Sequence, residues 1–252
     1  MRHLAPPLCE MPGMWRRTLI IHADGTRDTT TQVRWLQGPT LFVDLRQSAE
    51  LPDFLHLRCL NDLSFEDCAA LALQSGFAGR LEFDGECFEW RRLIDFQPRA
   101  GTDAGRLWWE EDVLIEAGRD VPYVEHWRRD PSVVTRPRAG VRLCDTQTGA
   151  AALLVQVGTV FMFARDRAIA LPDARSLAEC VAGASSLAEA RALLDCEITL
   201  GAGGSGSAPV ILASTHPWRV AERFELPGAP ARWEVIEVEG DPGAVWPGLV
   251  SR

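Results

Sequence analysis

The stretch ECFEWRRLIDF, residues 86–96, places side chains at a spacing that could bind a ligand. Successive side chains of a strand point to opposite faces. One face would carry Phe88, Trp90, Arg92, Ile94 and Phe96, and the other Glu89, Arg91, Leu93 and Asp95. Apolar walls around one guanidinium suit a small hydrophobic or acidic amphipathic molecule whose acid group meets Arg92. An unpaired buried guanidinium is costly, so either a ligand carboxylate or a protein Asp or Glu must lie against it. The first case makes this face a binding site. The second makes it part of a filled interior, as in many small barrels.

Other chemistries find little support. The 252-residue chain has net charge −9, and all 26 of its basic residues are Arg. Without Lys there is no Schiff base, no lysine general base and no Walker-type phosphate lysine. An acidic chain with scattered Arg also argues against nucleic-acid binding, which needs a clustered basic face. The glycine-rich GAGGSGSAP, 201–209, lacks the phosphate Lys and runs into the strand-like VILAS, so a hairpin is expected. The five histidines do not pair at metal spacings and no CxxC or CxxH occurs, so no metal is expected. His126 reads as an ordinary strand residue, and Glu110, Glu111 and Asp112 as a solvated turn. No G-x-S-x-G elbow is present, so no catalytic residue and no cofactor is implied.

Seven cysteines, an odd number at irregular spacing, do not form a disulfide framework. They read as reduced and buried, which suits a cytoplasmic protein. The N-terminal MRHLAPPLCEMPG lacks the apolar segment of a signal peptide, and no run of about 18 apolar residues suggests a membrane span.

The elements that must position these residues are mostly strands. Alternating polarity and turn residues predict strands at WRRTLIIH, TTTQVRWL, TLFVDLR, GRLEF, ECFEWRRLIDF, GRLWWE, DVLIEAG and YVEHWRR. Asp84-Gly85 suits a tight type I′ hairpin, whose two central positions both need positive φ, and Asp24-Gly25 and Gly38-Pro39 mark two further connections. One helix interrupts the run at SFEDCAALALQSG, with Ser64 as N-cap, Asp67 completing the box and Gly76 as a left-handed stop. The order of strands predicts an antiparallel barrel.

The second half repeats features of the first. GPTLFVDLRQSAELPD (38–53) aligns with VGTVFMFARDRAIALPD (157–173), and Ser64–Cys68 with Ser176–Cys180. WRR occurs at Trp15–Arg17 and again at Trp127–Arg129, as if starting each copy. The expectation is an all-β chain of two tandem antiparallel barrels, about 10–125 and 126–245, each with a short helix after its third strand.

Gly13-Met14-Trp15, together with this duplicated pattern, resembles the calycin group of lipocalin-like and fatty-acid-binding-like barrels, and most of all the small double-calycin family. The resemblance implies that Trp15 plugs the closed end of the first barrel beneath Arg128 or Arg129, with Trp127 and its neighbours closing the barrel. It implies a non-enzymatic protein that binds a small hydrophobic ligand. Two alternatives remain open: a scaffold with filled barrels that recognises a protein partner, and an isomerase or hydrolase working inside a barrel. Self-association of the chain is also left open.

Overall fold

The computed structural model describes residues 4–54, 56–98, 101–203, 209–228 and 232–241. The first unit contains β1 (Gly13–His22), the two-residue β2 (Arg27–Asp28), β3 (Gln32–Gln37), β4 (Leu41–Gln47), β5 (Ser75–Phe83), β6 (Phe88–Asp95), β7 (Ala104–Glu110), β8 (Val113–Gly118) and β9 (Tyr123–Arg129), with helix α1 (Phe65–Leu71) between β4 and β5. The strands pair antiparallel in the order β2-β1-β3-β4-β5-β6-β7-β8-β9, and β9 returns to β1. Apart from β2, which hangs on the end of β1, they form a closed eight-stranded barrel.

The two WRR triplets meet in the closing pair. Trp15 lies opposite Arg129, Arg16 opposite Arg128, and Arg17 opposite Trp127. The second triplet therefore ends the first barrel rather than beginning a second copy, and β9 runs through the boundary expected at 125/126. The physical reason is that Trp127 belongs to the barrel interior, where its ring lies 5.5 Å from that of Trp35.

The second unit is a six-stranded antiparallel sheet of β10 (Arg138–Asp145), β11 (Ala151–Val157), β12 (Val160–Arg165), β13 (Glu197–Ala202), β14 (Val210–Ser214) and β15 (Trp233–Gly240), ordered β14-β13-β12-β11-β10-β15. Among the described residues β14 and β15 do not pair with each other. Helices α2 (Leu177–Ala182) and α3 (Leu187–Leu193) follow β12, two where the sequence suggested one. β13 and β14 form the expected hairpin, although 204–208 of its connection, like 242–245 of the expected second domain, lie outside the described residues.

Helix starts follow the sequence closely. Ser64 accepts from the Asp67 backbone N–H while Asp67 accepts from that of Ser64, and Ser176 caps α2 through Glu179 N–H. Such caps contribute about 1 kcal/mol each. Two turn expectations need correction. α1 stops at Leu71, and Gly76 is a β5 residue in which a Cβ would come within 2.6 Å of Asp44 O and 2.8 Å of Ile198 Cδ1. It is needed for close strand and sheet approach, not to end a helix. Between β5 and β6 the connection spans four residues, with only Gly85 at positive φ and Asp84 Oδ1 accepting from Glu86 and Cys87 N–H.

The units pack through a shared core. Leu36, Val43, Leu45, Ala78 and Ile94 of the barrel's outer face join Leu153, Val155, Met162 and Ile198 of the second sheet. This is why β4 is buried over Leu41–Leu45 on both faces. Polar clamps seal the junction. The Glu239 carboxylate accepts from Thr40 N–H and Leu41 N–H, and Arg167 donates to the carbonyls of Asp95 and Phe96. Separate clusters fill the barrel, around Trp15 and Trp35, and the other face of the second sheet, around Phe161, Phe163 and Trp233.

Candidate functional site

The barrel interior has a filled end and an open end. At the filled end Trp15 is fully buried, its indole N–H donating to Met11 O at 2.8 Å and its ring stacked on Trp35 at 5.6 Å. The Arg129 guanidinium lies 4.6 Å from the Trp15 ring centroid and donates to Glu10 O, tying the N-terminal segment over this end. Arg128 points the other way: half exposed, it pairs with Asp112. Trp35 in turn meets Trp90 and Trp127 edge to face at 5.7 and 5.5 Å.

Above the tryptophans lies a cavity of about 250 Å³. Trp90 and Trp127 form part of its wall, and the exposed Thr102, Asp120 and Val121 stand at its mouth. The mouth follows from the ladder, because β6 and β7 pair only at Phe88–Gly105 and Glu89–Ala104 before the strands part.

β6 does not keep the strict alternation expected of it. Ala78 pairs with Ile94 and Gly79 with Arg92, leaving Leu93 as an extra residue. Such a bulge shifts every later side chain to the opposite face. Phe88 and Trp90 thus pack in the barrel cluster, whereas Ile94 and Phe96 belong to the core shared with the second sheet. Of the expected ligand face, Trp90 and Arg92 line the cavity; Phe88, Ile94 and Phe96 do not. The bulge also turns Asp95 inward, and Arg92 is met by the protein's own acids: Asp95 Oδ1 at 3.1 Å and Asp103 Oδ2 at 2.5 Å, with the guanidinium 3.7 Å over the Phe77 ring.

The rest of the polar lining comes from strands far apart in sequence. Asp44 on β4 accepts from Arg46 Nε at 2.7 Å, and Glu125 on β9 from Arg17 on β1 at 2.7 Å. Arg17 also reaches Asp28 at 3.2 Å. Glu116 on β8 lies directly opposite Glu125, and its two oxygens accept from Tyr123 O–H at 2.6 Å and Trp127 Nε1–H at 3.0 Å. Burial, then the neighbouring Glu125 and Asp103 carboxylates, raise the Glu116 carboxyl well above its ordinary value. Burial likewise raises Asp44 and Glu125, against the pull of nearby guanidiniums.

None of these acids was singled out from sequence, but a signal existed. Asp44 in LFVDL, Glu116 in VLIEA and Glu125 in YVEHW are each a charged residue in a stretch otherwise patterned for burial. His126, one residue from the inward Glu125 and Trp127, takes the outer face as an ordinary strand residue.

A pH effect follows. A carboxyl raised in the folded state holds its proton more tightly folded than unfolded, so its stabilising contribution is complete below about 4.5 and is lost as pH rises through the raised value. The stability advantage of wild type over Glu116→Gln is expected to shrink as pH rises above about 4.5, by up to about 1.4 kcal/mol per unit, until the raised value is passed. Buried His216, lowered mainly by burial, and Asp44, raised by burial, titrate in both proteins and cancel to first order, whereas Glu125, opposite Glu116, is relieved of its neighbour's charge in the variant, which adds to the same trend. Urea unfolding at a series of pH values reads this, and a constant difference would show that Glu116 is ionised in the folded state.

Neither a protein-family model nor a curated protein matches the chain. Among solved structures, the uncharacterized protein YLR301w of Saccharomyces cerevisiae is similar, with a TM-score of 0.54 over 91% of this chain and 100% of that one at 13% identity. At that identity the likeness is one of fold, and this chain shares with that yeast protein an all-β architecture extending over both of its units.

Proposed function

We propose that this protein binds a small molecule in the interior of its first barrel and does not transform it. The observation that carries the reading is the cavity of about 250 Å³ left above the tryptophan cluster, with a mouth at Thr102 and Val121. An apolar cavity of roughly 150 Å³ suffices for benzene, so a substituted single ring is within reach. The scaffold reading with filled barrels is less well supported, since only one end of this barrel is packed. The sequence-based expectation of an acidic ligand draws less support, because Asp95 and Asp103 already take the two terminal nitrogens of Arg92 and leave it only the buried Nε to offer.

Two further readings belong with this one. β4, the third of the eight barrel strands once β2 is set aside, and β12, the third strand of the second unit, each lead to a Ser-capped helix. This supports an internal duplication and membership of the double-calycin family. Contrary to the expectation that the cysteines are buried, Cys9 and Cys59 are exposed and Cys144 half-buried; the odd number and irregular spacing of the seven still support a reducing, cytoplasmic setting.

Titration with small substituted benzenes is expected to give saturable changes in tryptophan fluorescence. Ala104→Leu, which places extra carbon atoms in the wall next to Asp103, should abolish the response while circular dichroism remains that of wild type. A response unchanged in Ala104→Leu would place binding elsewhere, and no response to any probe would favour the scaffold.

A further inference from the structure

We infer that the ligand of this cavity is a small organic cation, an amine or quaternary ammonium carried on a flat apolar body. The inference rests on the barrel-interior binding reading and goes beyond it by assigning the ligand's charge. Asp44, Asp103, Glu116 and Glu125 line the cavity with Arg46 and Arg92, while Asp95 pairs with Arg92 and Arg17 with Glu125, so five carboxyl groups stand against three guanidiniums; Asp120 at the mouth is matched by Arg119. By number these acids exceed the bases by two. A buried excess charge is costly unless something of opposite sign meets it.

The geometry leaves acceptors for that charge. Asp44 and Glu125, each nearly fully buried, give one oxygen to a guanidinium. Asp44 Oδ2 and Glu125 Oε2 accept no hydrogen bond among the described residues, and both residues line the cavity. An anion placed here would face these oxygens. A cation would complete them.

The aromatic wall fits the same charge. Cations are attracted to the faces of aromatic rings, most of all Trp, and the site already shows this with Arg46 and Arg92 at 4.8 and 3.7 Å from the Phe77 ring centroid. Among the described residues no guanidinium lies over Trp90 or Trp127, whose rings also line the cavity. A metal ion is a poorer occupant, because no three of the acidic, His or Cys side chains among the described residues converge closely enough to ligate one.

Benzylamine, benzyl alcohol and benzoate share a shape and differ in charge. Titrated into the full chain at pH 7, benzylamine is expected to bind at least tenfold more tightly than benzyl alcohol, and benzoate most weakly. Glu125→Gln should reduce the preference for the amine over the alcohol at least tenfold. If Glu125→Gln does not fold, Asp44→Asn, which alters the other open acceptor, serves the same comparison. Benzyl alcohol or benzoate binding as tightly as the amine would overturn the cation assignment while leaving the barrel as a binding site. A preference that survives substitution in the folded variant also overturns it. Binding of none of the three would overturn both readings.

Discussion

Replacing Trp15 by alanine is expected to lower the unfolding free energy by about 3 to 5 kcal/mol, the usual cost of deleting a fully buried aromatic side chain. The ring has no exposed surface, so its entire apolar area is lost from the core. Three partners lose their contact at once: Trp35 at 5.6 Å, Trp109 at 5.8 Å and the Arg129 guanidinium at 4.6 Å. The Met11 carbonyl also loses its donor, loosening the segment that covers this end. Against the 5 to 15 kcal/mol that typically stabilises a domain, the change is large. Trp15→Phe, which keeps a ring but loses the indole N–H, should cost substantially less. Chemical denaturation followed by circular dichroism measures both, and a cost below about 1 kcal/mol for the alanine variant would mean that the ring contributes no more than an ordinary surface residue.

Removing one partner of the Arg17–Glu125 pair should have an effect of similar size. Both side chains are buried, 7% and 4% exposed, so neither charge can turn to water when the other is taken away. Arg17→Met is expected to cost about 3 to 5 kcal/mol, because it strands the Glu125 carboxylate beside Glu116 and leaves Asp28 with one donor fewer. Pairing the substitutions as Arg17→Met with Glu125→Leu should recover most of the loss, since an apolar pair of similar volume often replaces a buried ion pair at little cost. Recovery separates the penalty of a stranded charge from damage to packing. If the double variant is as unstable as the single one, the loss comes from shape. The same pair bears on binding, since Arg17 holds the carboxylate whose other oxygen is offered to a ligand.

Strand positions were legible in the chain because alternation of polarity is a local property, and all eight barrel strands were marked by it. Ser64 and Ser176 were legible as caps for the same reason: a cap depends on residues three apart. The lack of Lys was enough to set aside several enzyme chemistries. What sequence could not determine was everything that depends on which strands meet. The WRR triplets read as two beginnings because identity along a chain is blind to direction, whereas in the barrel they are antiparallel partners across 112 residues of chain. One extra residue at Leu93 sent Ile94 and Phe96 to the opposite face, and a bulge is set by the partner strand's register, which alternation does not report. The carboxyl groups of Asp44, Asp103, Glu116 and Glu125 come from β4, the turn before β7, β8 and β9, and only barrel closure brings them around one cavity. Local patterning thus determined that this chain is a set of strands with capped helices. The charge balance of its interior was decided by tertiary structure, because it is a sum over residues that are neighbours only in space.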